Sequence, residues 1–113
     1  MITIYHNTRC KKSRAGLEYL TSKTNDFEIV EYLKTGISVG KLQEILRLMN
    51  KNPEDILRKQ EEYYKKNIKG NDLTDSELLK EMSENPRLIE RPLLVKDDIA
   101  VLAQPPEEID KLF

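Results

Sequence analysis

The chain has 113 residues, enough for one domain with a single modest core. Its 20 acidic and 19 basic side chains give a net charge of −1, which argues against a nucleic-acid or membrane partner held by bulk electrostatics. The start turns polar after five residues, so it predicts neither a signal peptide nor a spanning helix. One cysteine excludes an internal disulfide and favours a reducing compartment. We therefore expect a cytoplasmic protein with a single domain over residues 1–113, and we expect a monomer.

The N-terminal third predicts a strand, a helix and a second strand. ITIYH alternates in polarity and is rich in β-branched and aromatic residues, as strands are. A loop over residues 7–9 follows, and apolar side chains spaced three and four apart predict a helix from Lys11. FEIVEYL, residues 27–33, predicts the second strand. Strand, helix, strand in this order favours a parallel pair with a crossover.

The middle of the chain, about residues 38–85, predicts a helical insertion. Apolar residues over 39–49 lie on one helical face, and Ser38 is a suitable N-cap. Pro53 predicts the start of a second helix through the charged segment EDILRKQEEYYKKN, because proline is tolerated in the first helical position. Gly70 would end that helix.

The last third predicts another helix, two strands and a final helix. Thr74 and Glu77 form a capping-box pattern, and Pro86 closes the helix that they begin. PLLV and IAVLA are short apolar runs joined by a hairpin-like turn, and a Pro-Pro pair opens the last helix. The complete order, β-α-β, helices, β-β-α, is that of a thioredoxin-like α/β fold. We expect three layers around a mixed sheet.

The segment HNTRCKKSR contains the only cysteine and the only histidine. Cys10 lies where the first strand meets the helix, so free amides and the helix dipole should favour its thiolate. Ser13 can donate a hydrogen bond to that thiolate, and His6 can add another or a charge. The same amides would hold an oxyanion against the sulfur. We predict a reactive thiol, against the alternatives of a small buried cysteine and a purely structural imidazole.

A metal site is not expected here. One Cys and one His cannot complete a tetrahedral zinc site without carboxylates at recognisable spacing, which the sequence lacks.

Four motifs together resemble the ArsC arsenate reductases that couple to glutathione and glutaredoxin. They are HN-x-RC-x-KSR, ILRK, NP-x-LI-x-RP and a tail containing PPE, and the resemblance runs from Ile2 to about Leu112. It implies a thioredoxin-like fold with a helical insertion, in agreement with the element order above.

The resemblance also implies roles for individual residues. Cys10 matches the nucleophile, and Arg58 and Arg91 match arginines that bind the oxyanion. Pro92 matches the proline that this fold keeps in the cis form. His6 and Ser13 match positions that lower the pKa of the thiol.

The implied activity is reduction of arsenate, or a related oxyanion, to arsenite at one cysteine. Glutathione would be the co-substrate and glutaredoxin a partner, with no bound cofactor. The resemblance departs at Gln104, which stands where these enzymes usually carry a third arginine. Gln104 can still donate hydrogen bonds to an oxyanion, but it adds no charge.

Two alternatives remain open. The first is an ArsC-family thiol oxidoreductase that acts on something other than arsenate, which Gln104 favours. The second is an Spx-like regulator that binds RNA polymerase. Such regulators typically use a C-x-x-C switch, whereas this chain has C-K-K-S.

Overall fold

The computed structural model describes all 113 residues and divides into two compact units. Residues 1–35 and 91–113 form the first unit, and residues 36–90 form the second. The predicted insertion, 38–85, lies within the second unit. That the chain acts as one domain stays a prediction.

A four-stranded mixed sheet forms the centre of the first unit. Its strands are β1 (Ile2–Tyr5), β2 (Phe27–Val30), β3 (Leu93–Lys96) and β4 (Ile99–Leu102), in the order β2-β1-β3-β4. β1 pairs with β2 in parallel, and the other two pairings are antiparallel. The sheet and its parallel pair confirm the predicted α/β fold with a mixed sheet.

Two helices pack on this sheet. α1 (Lys11–Lys23) supplies the fully buried Leu20, and a 3-10 helix over Pro106–Leu112 supplies Ile109 and Leu112. They join a core with side chains of β1, β3 and β4 and of the residue after β4: Ile2, Ile4, Leu94, Val101 and Ala103. The last helix was expected, although its pitch is tighter than that of an α-helix.

The second predicted strand is shorter than FEIVEYL. β1 ends at Tyr5, whose register partner is Val30, so the residues after Val30 have no strand to pair with. The chain instead turns into α2 (Tyr32–Thr35), where the amides of Lys34 and Thr35 donate to the Glu31 carbonyl at 2.9 and 3.1 Å. The prediction of strand through residue 33 was therefore wrong.

Two helices of the second unit follow the sequence prediction. α3 (Val39–Met49) begins at Ser38, whose hydroxyl accepts from the Lys41 amide at 3.1 Å. α4 (Asp75–Glu84) carries the complete capping box. The Thr74 amide donates to the Glu77 carboxylate at 2.9 Å, and the Glu77 amide donates to the Thr74 hydroxyl at 3.1 Å.

The charged segment after Pro53 is not the helix that its sequence predicts. A 3-10 turn over Pro53–Ile56 is followed by an antiparallel bridge between Leu57 and Ile89. The amide of Arg58 donates to the Leu88 carbonyl at 2.7 Å, and this extended pairing replaces helical hydrogen bonds. Further along the segment, Tyr64–Ile68 forms one π-helical turn. Across the whole chain, no helix is long and apolar enough to cross a membrane.

Candidate active site

Cys10 is the N-cap residue of α1, at the end of a short loop that leaves β1. Its backbone is extended, with φ −94° and ψ 124°, and its carbonyl accepts the first helical hydrogen bond from the Arg14 amide at 2.9 Å. The Cys10 amide donates to the Asn7 carbonyl at 3.1 Å, which closes the loop. The half-buried sulfur therefore lies beside the free amides of the first helical turn.

The pKa of the Cys10 thiol lies below its ordinary value, as the result of opposed effects. Partial burial is the largest single effect and acts to raise the pKa. The Ser13 amide, the Arg91 guanidinium and the Lys12 amide all hydrogen-bond the sulfur and favour the thiolate, as does the Arg91 charge. Together these donors outweigh the desolvation. The site thus combines a helix N-terminus with one buried cation, and both favour a nucleophilic thiolate.

Ser13 and His6 form a buried polar pair behind the thiol. The Ser13 hydroxyl is 2.6 Å from His6 Nδ1 and accepts from the Asn7 amide at 3.0 Å. Ser13 is 0% exposed, and His6 and Asn7 are also buried. The sequence suggested that the Ser13 hydroxyl donates to the sulfur, whereas here the backbone amide of Ser13 makes that contact. The Ser13 side chain instead holds the loop in shape.

Burial lowers the pKa of His6, and the nearby Arg14 charge acts in the same direction, against an opposing effect of Glu31. A neutral imidazole at neutral pH fits the short contact with the Ser13 hydroxyl. That His6 and Ser13 tune the thiol stays a prediction.

Arg91 approaches Cys10 from the opposite part of the sequence. It is only 6% exposed, and its guanidinium hydrogen-bonds the sulfur. The Arg91–Pro92 peptide bond is cis, the form that the sequence motif implied for Pro92. On the other side, Pro92 packs against α1 at Gly16, where an added Cβ would lie 2.6 Å from Pro92 Cγ. Gly16 is not among the residues predicted from the sequence, although a glycine inside a helix signals a close approach.

Gln104 lies beside Arg91 and contacts its backbone. Its side-chain amide donates to the Arg91 carbonyl at 2.7 Å. The next peptide bond, Gln104–Pro105, is also cis, which the sequence did not indicate. A cavity of about 190 Å³ opens along this segment and α1. It is lined by one lysine and by mostly apolar groups: Lys12, Ala15, Ala103, Gln104, Pro105 and Pro106.

Arg58 belongs to the second unit. Its side chain is 14% exposed, and its Nε and Nη2 atoms both lie 3.2 Å from Glu61 Oε2. The guanidinium therefore has a carboxylate partner of its own. Its predicted role in oxyanion binding stays a prediction.

Comparisons with known proteins identify a family and several similar proteins. The model of the ArsC family matches residues 5–112. The chain is 37% identical to an arsenate reductase of Haemophilus influenzae, over 96% of this chain and 95% of that one. It is 34% identical to the Escherichia coli protein YfgD, over 96% and 92% of the two chains. The structure of an arsenate reductase from Vibrio cholerae superposes with a TM-score of 0.93, at 34% identity, covering 99% of this chain and 97% of that one.

Proposed function

Because the chain belongs to the ArsC family, we propose that it is an arsenate reductase with Cys10 as its nucleophile. One observation carries the proposal. The sulfur of Cys10 lies at a helix N-terminus and receives a hydrogen bond from a buried guanidinium, so that its pKa is lowered. A thiolate with donors on several sides suits attack on an anionic, tetrahedral substrate.

The same groups would bind the substrate. The amides of Lys12 and Ser13 and the guanidinium of Arg91 converge on the sulfur, and oxyanion oxygens beside it would meet the same donors. These donors neutralise charge that would otherwise repel an anion from a thiolate. We propose Arg58 as a further oxyanion-binding residue on its match to the ILRK motif alone.

The first chemical step forms an S–As bond. The Cys10 thiolate attacks arsenic(V), and one arsenate oxygen leaves as water after it takes up protons. A cysteinyl thioarsenate results, with no change yet in oxidation state. Glutathione then attacks the Cys10 sulfur. The S–As bond breaks, its electron pair stays with arsenic, and arsenite(III) leaves as the Cys10–glutathione disulfide forms.

Release of Cys10 from this disulfide needs an outside thiol. The chain has one cysteine, and position 13 holds a serine. A resolving thiol from the same chain is therefore absent, and we propose that glutaredoxin takes the glutathione moiety and frees Cys10. Lys12 is exposed and lines the cavity beside α1, where it would give an anionic tripeptide thiol a positive contact.

A coupled assay tests the proposal. Arsenate-dependent oxidation of NADPH is followed with glutathione, glutaredoxin and glutathione reductase, for the wild type and Cys10→Ser. We expect turnover in the wild type only, because serine has no sulfur to form the S–As bond or the disulfide with glutathione. Mass spectrometry should also find the glutathione adduct on Cys10. Absence of turnover in the folded wild type, at any glutathione concentration, would refute arsenate reduction.

A second candidate is favoured by Gln104, whose uncharged amide contacts the backbone. In this reading the chain is a thiol oxidoreductase for another substrate. If Gln104→Arg reduces arsenate and the wild type does not, this candidate is supported over the first.

A further inference from the structure

The structure assigns Gln104 a role that goes beyond the oxyanion contact that its sequence position suggests. We propose that Gln104 is a positioning residue: it fixes the backbone at Arg91, and through that backbone it holds the Arg91 guanidinium on the Cys10 sulfur. The inference rests on the proposed function only in taking Cys10 as the working nucleophile.

Two adjacent carbonyls carry the argument. The Gln104 side-chain amide donates to the Arg91 carbonyl at 2.7 Å, and the Ala103 amide donates to the Pro92 carbonyl at 3.0 Å. Residues 103 and 104 thus take up both carbonyl oxygens of the Arg91-Pro92 segment. The contact from Ala103 comes from the backbone, so any residue other than proline could supply it. The contact from Gln104 needs a side chain of glutamine length with an N–H donor.

The segment is fixed from its other side as well. Pro92 lies against α1 where Gly16 leaves room for it, and Cys10 is the N-cap residue of α1. The positions of Arg91 and Cys10 are therefore both set by the same short contact between α1 and the Arg91-Pro92 segment. Arg91 is almost completely buried, so its guanidinium has little freedom once its backbone is fixed. Without the Gln104 contact, the backbone at Arg91 is held by one hydrogen bond fewer.

This reading also explains why a neutral residue can stand at position 104. A donor directed at a backbone carbonyl needs no charge, whereas a donor that binds an oxyanion gains from one. The charged side chain that acts on the sulfur is that of Arg91, and exposed cations flank Cys10 in the sequence: Arg9, Lys11, Lys12 and Arg14. None of these is removed by a change at Gln104, so any effect of that change on the thiol must act through geometry.

The test reads the thiol directly, without arsenate. The rate of alkylation of Cys10 by iodoacetamide is measured against pH for the wild type, Gln104→Met, Arg91→Met and the double variant. Methionine keeps the length of glutamine and removes the donor. We expect the midpoint of the curve of alkylation rate against pH to rise in Gln104→Met by roughly 0.5–1 pH unit. At pH values below the midpoint, this shift reduces the fraction of thiolate by about three- to tenfold. In the Arg91→Met background, the same change should have no further effect.

Gln43→Met is the matched control, because Gln43 is an exposed glutamine on α3. It should keep the wild-type midpoint. Circular dichroism confirms that each variant is folded at the assay temperature. An unchanged midpoint in Gln104→Met would overturn the proposal, and so would equal shifts with and without Arg91. A raised KM for arsenate with an unchanged alkylation profile would instead make Gln104 an oxyanion ligand, and would also overturn it. Because alkylation needs no arsenate, these outcomes are separate from failure of the proposed activity.

Discussion

Ser13 shows how one hydroxyl supports the loop that carries the thiol. Its oxygen satisfies two buried partners, His6 Nδ1 and the Asn7 amide, at 2.6 and 3.0 Å. Removal of a shared partner leaves both buried groups without their hydrogen bond, which costs more than the net value of a single bond. The hydroxyl therefore contributes to stability, while the amide of the same residue contributes to the thiolate.

Ser13→Ala separates these two contributions. We expect a loss of about 1–3 kcal/mol in the free energy of unfolding, measured by urea denaturation. The pKa of Cys10 should change less than in Arg91→Met, because the Ser13 amide stays in place. Ser76→Ala is the control, since Ser76 is exposed on α4, and it should change stability by less than about 0.5 kcal/mol. A stability loss in Ser13→Ala no larger than in Ser76→Ala would contradict the role of the hydroxyl.

At the residue scale, the sequence predicted what depends on local spacing. A cysteine at a strand-to-helix junction has amides beside its sulfur whatever the rest of the chain does, so the position of Cys10 at the start of α1 could be predicted from residues 6–14. That the thiol is the nucleophile stays a prediction. The partners of Ser13 and Gln104 could not be. Both side chains have several donors or acceptors within reach, and only the folded backbone decides which of them they meet.

The contact between α1 and Pro92 depends on Gly16. Gly16 has no side chain, and a Cβ there would meet Pro92 Cγ at 2.6 Å and Ala103 Cβ at 3.4 Å. The proline ring is not a flexible side-chain end, so either α1 or the Arg91-Pro92 segment would have to move. Either movement changes the position of Cys10 relative to Arg91.

Gly16→Ala should therefore destabilise the protein even though alanine is the better helix former. Helix propensity favours alanine by about 1 kcal/mol, whereas overpacking costs about 1–3 kcal/mol and should prevail. We also expect slower alkylation of Cys10 at pH values below its pKa. Both are measured on purified protein, by urea denaturation and by iodoacetamide kinetics.

Gly40→Ala provides the opposite expectation on a matched site. Gly40 lies in α3, and nothing stands within 4 Å of its added Cβ. This variant should gain about 0.5–1 kcal/mol in the free energy of unfolding and keep the thiol unchanged. If both glycine variants were stabilised, the close packing of α1 on Pro92 would be refuted.

Helices that begin with a local capping signal were predicted correctly, whereas a segment whose structure depends on a distant partner was not. α3 and α4 carry caps that depend on residues only three positions apart, and both were predicted with the right bounds at their starts. The prediction of a helix after Pro53 was wrong, because Leu57 pairs with Ile89, more than thirty positions away along the chain. A charged segment with helix-forming residues gives no local sign of such a partner.

At the scale of the whole molecule, the single histidine makes the stability depend on pH in a defined window. Burial lowers the pKa of His6 from its ordinary value of 6.5, so the folded protein favours the neutral ring. The unfolded chain therefore binds a proton more readily. The contribution of His6 to stability is complete above about pH 6.5 and is lost as the pH falls toward the lowered pKa of the folded state.

We expect the melting temperature to fall between pH 7 and pH 5, and to fall less in His6→Asn. Asn can still present a polar atom toward the Ser13 hydroxyl, but it does not titrate. The carboxylates with a lowered pKa, Glu77 and Asp110, act only below their ordinary values of 4.5 and 3.8, outside this window. Cys10, whose lowered pKa acts below its ordinary value of 9.0, is present in both proteins and contributes to both profiles. Differential scanning calorimetry of both proteins measures the difference, and identical profiles would show that His6 is not responsible.

The first unit is assembled from the two ends of the chain, with Cys10 in residues 1–35 and Arg91 in residues 91–113. During translation the sulfur leaves the ribosome before the guanidinium that helps to lower its pKa. A nascent polypeptide that has not reached Arg91 therefore carries a thiol without its buried cation. The set of donors around the sulfur is complete only after residue 91 has been added and has folded beside α1.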